Sequence, residues 1–184
     1  MIVAFKSGNL KTKSIFDHQQ TMKLLSILFL AATLSAQAQV EELKLSEILK
    51  LLPDKIEGFH AFEEPKSERM KIGTITYTLC EKKFKSHEKS IQLLLFDFLH
   101  ADIMYKQAVS KWAETKPIET ESTVMHTIEK DNCTGLESYQ KHTEESQISL
   151  GIGGRYLLNI TGHHVDLATL RAALDLIVLQ KFPK

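Results

Sequence analysis

The chain is poor in the residues that mark specialised folds. Its 184 residues include only 4 prolines, 8 glycines, 2 cysteines and 1 tryptophan. That is far too little glycine and proline for a collagen-like chain. With 43% hydrophobic and 25% charged residues, the balance is that of a globular protein, not of a disordered chain or a coiled coil. A net charge is missing too: 23 Lys and Arg offset 23 Asp and Glu. Electrostatics therefore give no case for a nucleic acid or an anionic membrane as partner. Catalytic motifs are absent as well. No GxSxG and no HExxH occurs. Gly151-Ile152-Gly153-Gly154 joins two strand-like runs, and no helix start follows it to hold a phosphate.

What is present begins near the N-terminus. Met22-Lys23 precedes the apolar run Leu24 to Leu34, and Ser35-Ala36-Gln37-Ala38 follows. A basic residue, a short apolar run and a small-x-small site are the three parts of a secretory signal peptide. A stable membrane span needs roughly 20 apolar residues, so this run is too short to remain as an anchor. Residues 22–38 are expected to be the signal, cut between Ala38 and Gln39, with residues 1–21 an over-long start to the reading frame. Cleavage removes Lys6, Lys11, Lys13, Lys23 and Asp17, leaving 19 basic and 22 acidic residues, a net charge of −3. The expected location is the periplasm or the exterior. There Cys80 and Cys133 can form a disulfide worth about 3–4 kcal/mol, or stay as two buried free thiols. Their spacing fits neither a thioredoxin-type pair nor a zinc-ligand set.

Periodicity along residues 39–184 predicts one α+β domain. Glu41–Leu52 reads as a short amphipathic helix stopped by Pro53. Asp54 to Met70 has no period and reads as an extended connector. Lys71–Phe84 is a strand in which Ile75, Tyr77 and Leu79 alternate with threonines, placing Cys80 on the threonine face. Ser90–Leu99, apolar on both faces, is a central strand. A helix over Asp102–Glu114 follows. Strands are expected over Thr123–Ile128, Leu136–His142, Gln147–Ile152 and Arg155–Thr161, the last two joined by Gly153-Gly154. Asp166 caps a final helix over Leu167–Lys181. The expected architecture is a mainly antiparallel sheet of about five to six strands with helices packed on one face.

The segment Gly154 to Gly162, with its Arg155-led hydrophobic strand, followed by Val165-Asp166 and the leucine-rich Leu170 to Leu179, resembles the C-terminal half of small exported bacterial α+β proteins of unknown function. Ile91 to Phe98 is similar to their first half. The resemblance implies export from a bacterium and no activity, cofactor or catalytic residue.

Three candidates for chemistry remain. His163 and His164 are adjacent and are the best placed of the histidines for a metal, although strand neighbours point to opposite faces. Asp97 lies near the end of an otherwise apolar strand. It can cap the next helix, pair with Arg155 or act as a functional carboxylate. The cluster Lys82, Lys83, Lys85 and Lys89 reads as a soluble hairpin tip, or a contact for an acidic partner. With no nucleophile, base and orienting group assembled, the sequence leans away from an enzyme. It points to an exported binding or scaffold domain that meets an unknown protein or small ligand without a cofactor. The alternative is a periplasmic carrier of a small ligand or metal.

Overall fold

The computed structural model describes residues 42–183. The signal peptide, its cleavage site and residues 1–21 lie outside the described residues. One antiparallel sheet of nine strands dominates. The elements are α1 (Leu45–Leu49), β1 (His60–Ala61), β2 (Lys66–Ile72), β3 (Ile75–Ser86), β4 (Lys89–His100), α2 (Asp102–Val109), β5 (Ile118–Glu119), β6 (Thr123–Lys130), β7 (Cys133–Gln140), β8 (Glu145–Ile152), β9 (Tyr156–His163) and α3 (Leu167–Asp175). Short 3₁₀ turns follow α2 at Trp112–Glu114 and α3 at Leu179–Lys181. The strand order is β1-β3-β4-β9-β8-β7-β6-β5, with β2 also paired to β3.

This corrects the expectation of five to six strands with helices on one face. The six strands with apolar periodicity form, but β1, β2 and β5 add to them at the margins. An edge strand pairs through its backbone and needs no apolar stripe. Lys66–Ile72, within and just beyond the expected connector, shows how: it is almost wholly polar, with no residue fully buried, yet it pairs with β3 from Lys66↔Glu81 to Ile72↔Ile75. Polar, charged edges also discourage pairing with other chains.

The helices lie on both faces. The pairing β3–β4–β9–β8 sets Cys80, Phe84, Leu93, Leu95, Leu158, Ile160, Ile148 and Leu150 on one face. These join Ile48, Leu52, Leu170, Leu174 and Ile177, from α1, α3 and their flanks, in the main core. Each buried leucine contributes about 1.5–3 kcal/mol. The opposite face carries a smaller cluster, Phe98, Ala101 and Leu157, with Tyr77, Phe96, Met104, Tyr105 and Trp112 packed against it. So the threonine face of β3, with Cys80, is the one turned into the main core. The Tyr77 side meets α2, through Phe98 and Tyr105 at 6.4 Å.

The helices are shorter than their periodicity suggests. In α3, Asp166 accepts the Thr169 N–H at 2.8 Å, but the helix ends at Asp175 instead of Lys181. The β-branched pair Ile177-Val178 favours extended backbone, and Val178 adopts it. The turn it makes carries Leu179 and Phe182 into the main core, with Phe182 edge-on to Tyr156 at 5.2 Å. At the other end of α3, β9 passes so close that a Cβ on Gly162 would lie 2.7 Å from Ser146 Oγ and 2.8 Å from Val165 Cβ. Only glycine fits there. Among the described residues no helix is long and apolar enough to cross a membrane.

Candidate functional site

Three segments meet at one end of the sheet. The β3–β4 hairpin brings Ser86, His87, Glu88 and Lys89. The β7–β8 turn brings Glu144, and the β9–α3 loop brings His164, Val165 and Asp166. Ser86, Lys89, Glu144, His164, Val165 and Asp166, with Gly58, Phe59, Tyr139 and Thr169, line a groove of about 430 Å³. A more open hollow of about 760 Å³ adjoins it over His87 and Glu88. The groove is polar, and both signs of charge face it.

Its backbone is unusual. Among the described residues five non-glycine residues have positive φ, and three of them are here: His87 at 56°, Glu144 at 50° and His164 at 55°. Left-handed backbone disfavours L-residues, by about 1–2 kcal/mol each. Two bonds hold Glu144 and His164 in it. The His164 N–H donates to the Glu144 carbonyl at 2.8 Å, and His164 Nδ1 lies 2.8 Å from Glu144 Oε2. Both side chains remain exposed. Asp166 completes the electrostatics. Its carboxyl is held below the usual range, first by the hydrogen bonds from Thr169 and then, more weakly, by the charge of Lys89.

The candidates from the sequence divide among different places. His164 is in the groove with Glu144. His163 pairs instead with Glu145, Nδ1 to Oε1 at 3.1 Å, one position back along β9. The two histidines thus have separate carboxylate partners, and no group of three or more possible metal ligands exists among the described residues. Asp97 is at the opposite end of β4, buried, and clasped by Arg155: Nε to Oδ1 and Nη2 to Oδ2, both 2.6 Å. Its Oδ1 also accepts the Leu99 N–H at 3.0 Å. Burial opposes the guanidinium charge, but the Asp97 hydrogen bonds and charge outweigh it and raise the Arg155 pKa. Such a pair fixes β4 against the start of β9.

Cys80 and Cys133 are both free. They sit on β3 and β7, four strand-to-strand steps apart, which is roughly 19 Å across a sheet at about 4.8 Å per step. Disulfide geometry needs Cα atoms within about 7 Å. Burial first, and the Asp97 charge second, push the Cys80 thiol up to about 11, so it is a neutral core group.

The lysine cluster is also dispersed. Lys82 is buried in the core face and donates to the Leu52 carbonyl at 2.9 Å and Asp54 Oδ1 at 2.7 Å. Lys83 turns to Glu63 at 3.0 Å, and Lys85 lies over the Phe62 ring at 5.0 Å. Only Lys89 reaches the groove.

Sequence reading missed Glu144, Tyr139 and Ser86 as site residues, because they meet only through strand order. It also missed Glu137, a buried carboxylate held in a two-pronged ion pair by Arg171 of α3 and 3.8 Å from His126. The signal available was a lone acid on the inward parity of β7. In comparisons with known proteins, the chain matches no family model, and no curated protein or solved structure matches it significantly.

Proposed function

We propose that this chain is exported, cleaved after Ala38, and works as a non-enzymatic binding domain whose contact site is the charged groove around His164. One observation carries the reading: three of the five left-handed non-glycine residues among those described line this groove and the hollow that adjoins it. Strain of this kind gathers where side chains are needed for contact. The likeness to small exported bacterial proteins is part of the same reading. The net charge of −3 on the cleaved chain supports a partner other than nucleic acid. A volume of about 430 Å³ lies within the range of small-molecule sites, and this supports a second reading, a periplasmic small-ligand carrier.

The test is native mass spectrometry of protein recovered from its host without chelators. Wild type is expected to carry a stoichiometric ligand or partner that Lys89→Ala/Glu144→Ala loses. A small adduct selects the carrier; a protein adduct selects the scaffold. Wild type and variant with the same adduct, or turnover of a substrate by the purified protein, would reject the proposal. N-terminal sequencing of the same material should begin at Gln39; a start at Met1 would reject export.

A further inference from the structure

A second hollow, of about 360 Å³, opens at the opposite end of the sheet, beneath α2. Its chemistry is unlike that of the groove. None of the side chains lining it is ionised at neutral pH. Trp112 and Tyr105 form one wall. Gly151, Gly153 and Gly154 form the floor, and Asn132 and Thr134 stand at the rim.

The floor is flat because it has to be. A Cβ on Gly151 would come within 2.7 Å of the Tyr105 hydroxyl and 3.4 Å of the Trp112 ring. Gly153 and Gly154 hold φ of 59° and 72°. An aromatic wall beside a backbone floor makes a slot for a ring. Beside the Trp112 ring, the polar side chains that line it carry a phenol, a primary amide and a hydroxyl. All are neutral, and together they both donate and accept. An anion would find no cation there, and a cation no carboxylate. A purely aromatic ring would make no use of the amide and hydroxyl of Asn132 and Thr134, which are exposed and would keep their water. A sugar ring suits all of these groups: its C–H face lies on the indole and its hydroxyls meet the rim.

We propose that this hollow is a binding site for a neutral saccharide, stacked on Trp112 and hydrogen-bonded by Asn132 and Thr134. The site is independent of the charged groove and of what that groove binds.

The single tryptophan supplies the readout, since all indole emission comes from Trp112. Neutral di- and trisaccharides of glucose, galactose, mannose and N-acetylglucosamine would be titrated into the full exported chain. Glucuronate and indole serve as charged and aromatic controls. The expected result is a saturable emission change with at least one neutral saccharide, with a Kd below about 10 mM. Asn132→Gly keeps the left-handed backbone and removes the amide. It should weaken that binding about tenfold with no change in melting temperature. Three results would overturn the proposal: no emission change with any neutral sugar, equal binding by Asn132→Gly and Thr134→Val, or tighter binding of indole than of every sugar.

Discussion

The two ends of the sheet solve the same backbone problem with different residues. At the end near α2, left-handed positions fall to Asp131, Asn132, Gly153 and Gly154, types that accept positive φ readily. At the opposite end they fall to Gly58 and to three larger residues, His87, Glu144 and His164. Glutamate gains nothing from that backbone; histidine adopts it more often than most residues, but less freely than glycine. The first end takes the residues its turns favour; under the proposed function, the second keeps its residues for what their side chains present. Two hollows follow the same division: a neutral one over glycines, and a charged one over strained polar residues.

The largest effect should come from the ion pair that anchors the neutral end. Arg155→Met leaves Asp97 buried without its guanidinium and should cost about 3–5 kcal/mol, read as a fall in urea midpoint. Leu174→Ala acts on the core shared by both ends and should cost about 3 kcal/mol. Gly154→Ala forces a Cβ into left-handed backbone and should cost about 1 kcal/mol. Glu144→Gly should be near neutral, within about 0.5 kcal/mol. It relieves the same strain while losing only an exposed pair with His164. If Gly154→Ala and Glu144→Gly cost the same, the contrast between the ends is broken.

A small effect is also expected from pH at the groove. The Asp166 carboxyl is lower in the folded chain than in the unfolded one. Its contribution is therefore present above the unfolded value near 3.9 and lost as pH falls through the folded one. Melting curves between pH 5 and pH 2 should show Asp166→Asn less acid-sensitive than wild type by less than about 1 kcal/mol, the charge being largely screened by solvent.

Legibility in the sequence followed burial. The hairpin at Gly153-Gly154 and the N-cap at Asp166 were readable, because turn chemistry and capping are local. So were the six strands with apolar periodicity, since an apolar period records a buried face. Lys66–Ile72 was not readable, because an edge strand is held by its backbone and leaves no pattern in its side chains. Helices on both faces were hidden for a related reason: alternation in β3 shows that two faces differ, not which one meets the larger core. The groove was least legible of all. His164 was noticed for its neighbour His163, whereas its partner in space is Glu144, twenty residues away and joined to it by the pairing of β8 with β9.

If the groove and its adjoining hollow form the contact site, His87 and Glu144 are present for contact and not for the fold. The melting temperature of the double variant His87→Gly/Glu144→Gly tests this most directly. Equal or higher stability than wild type is predicted, because two left-handed positions pass to the residue that occupies them without strain. A drop of more than about 5 °C, roughly 1 kcal/mol or more in a domain of this size, would contradict it and make both residues structural parts of their turns.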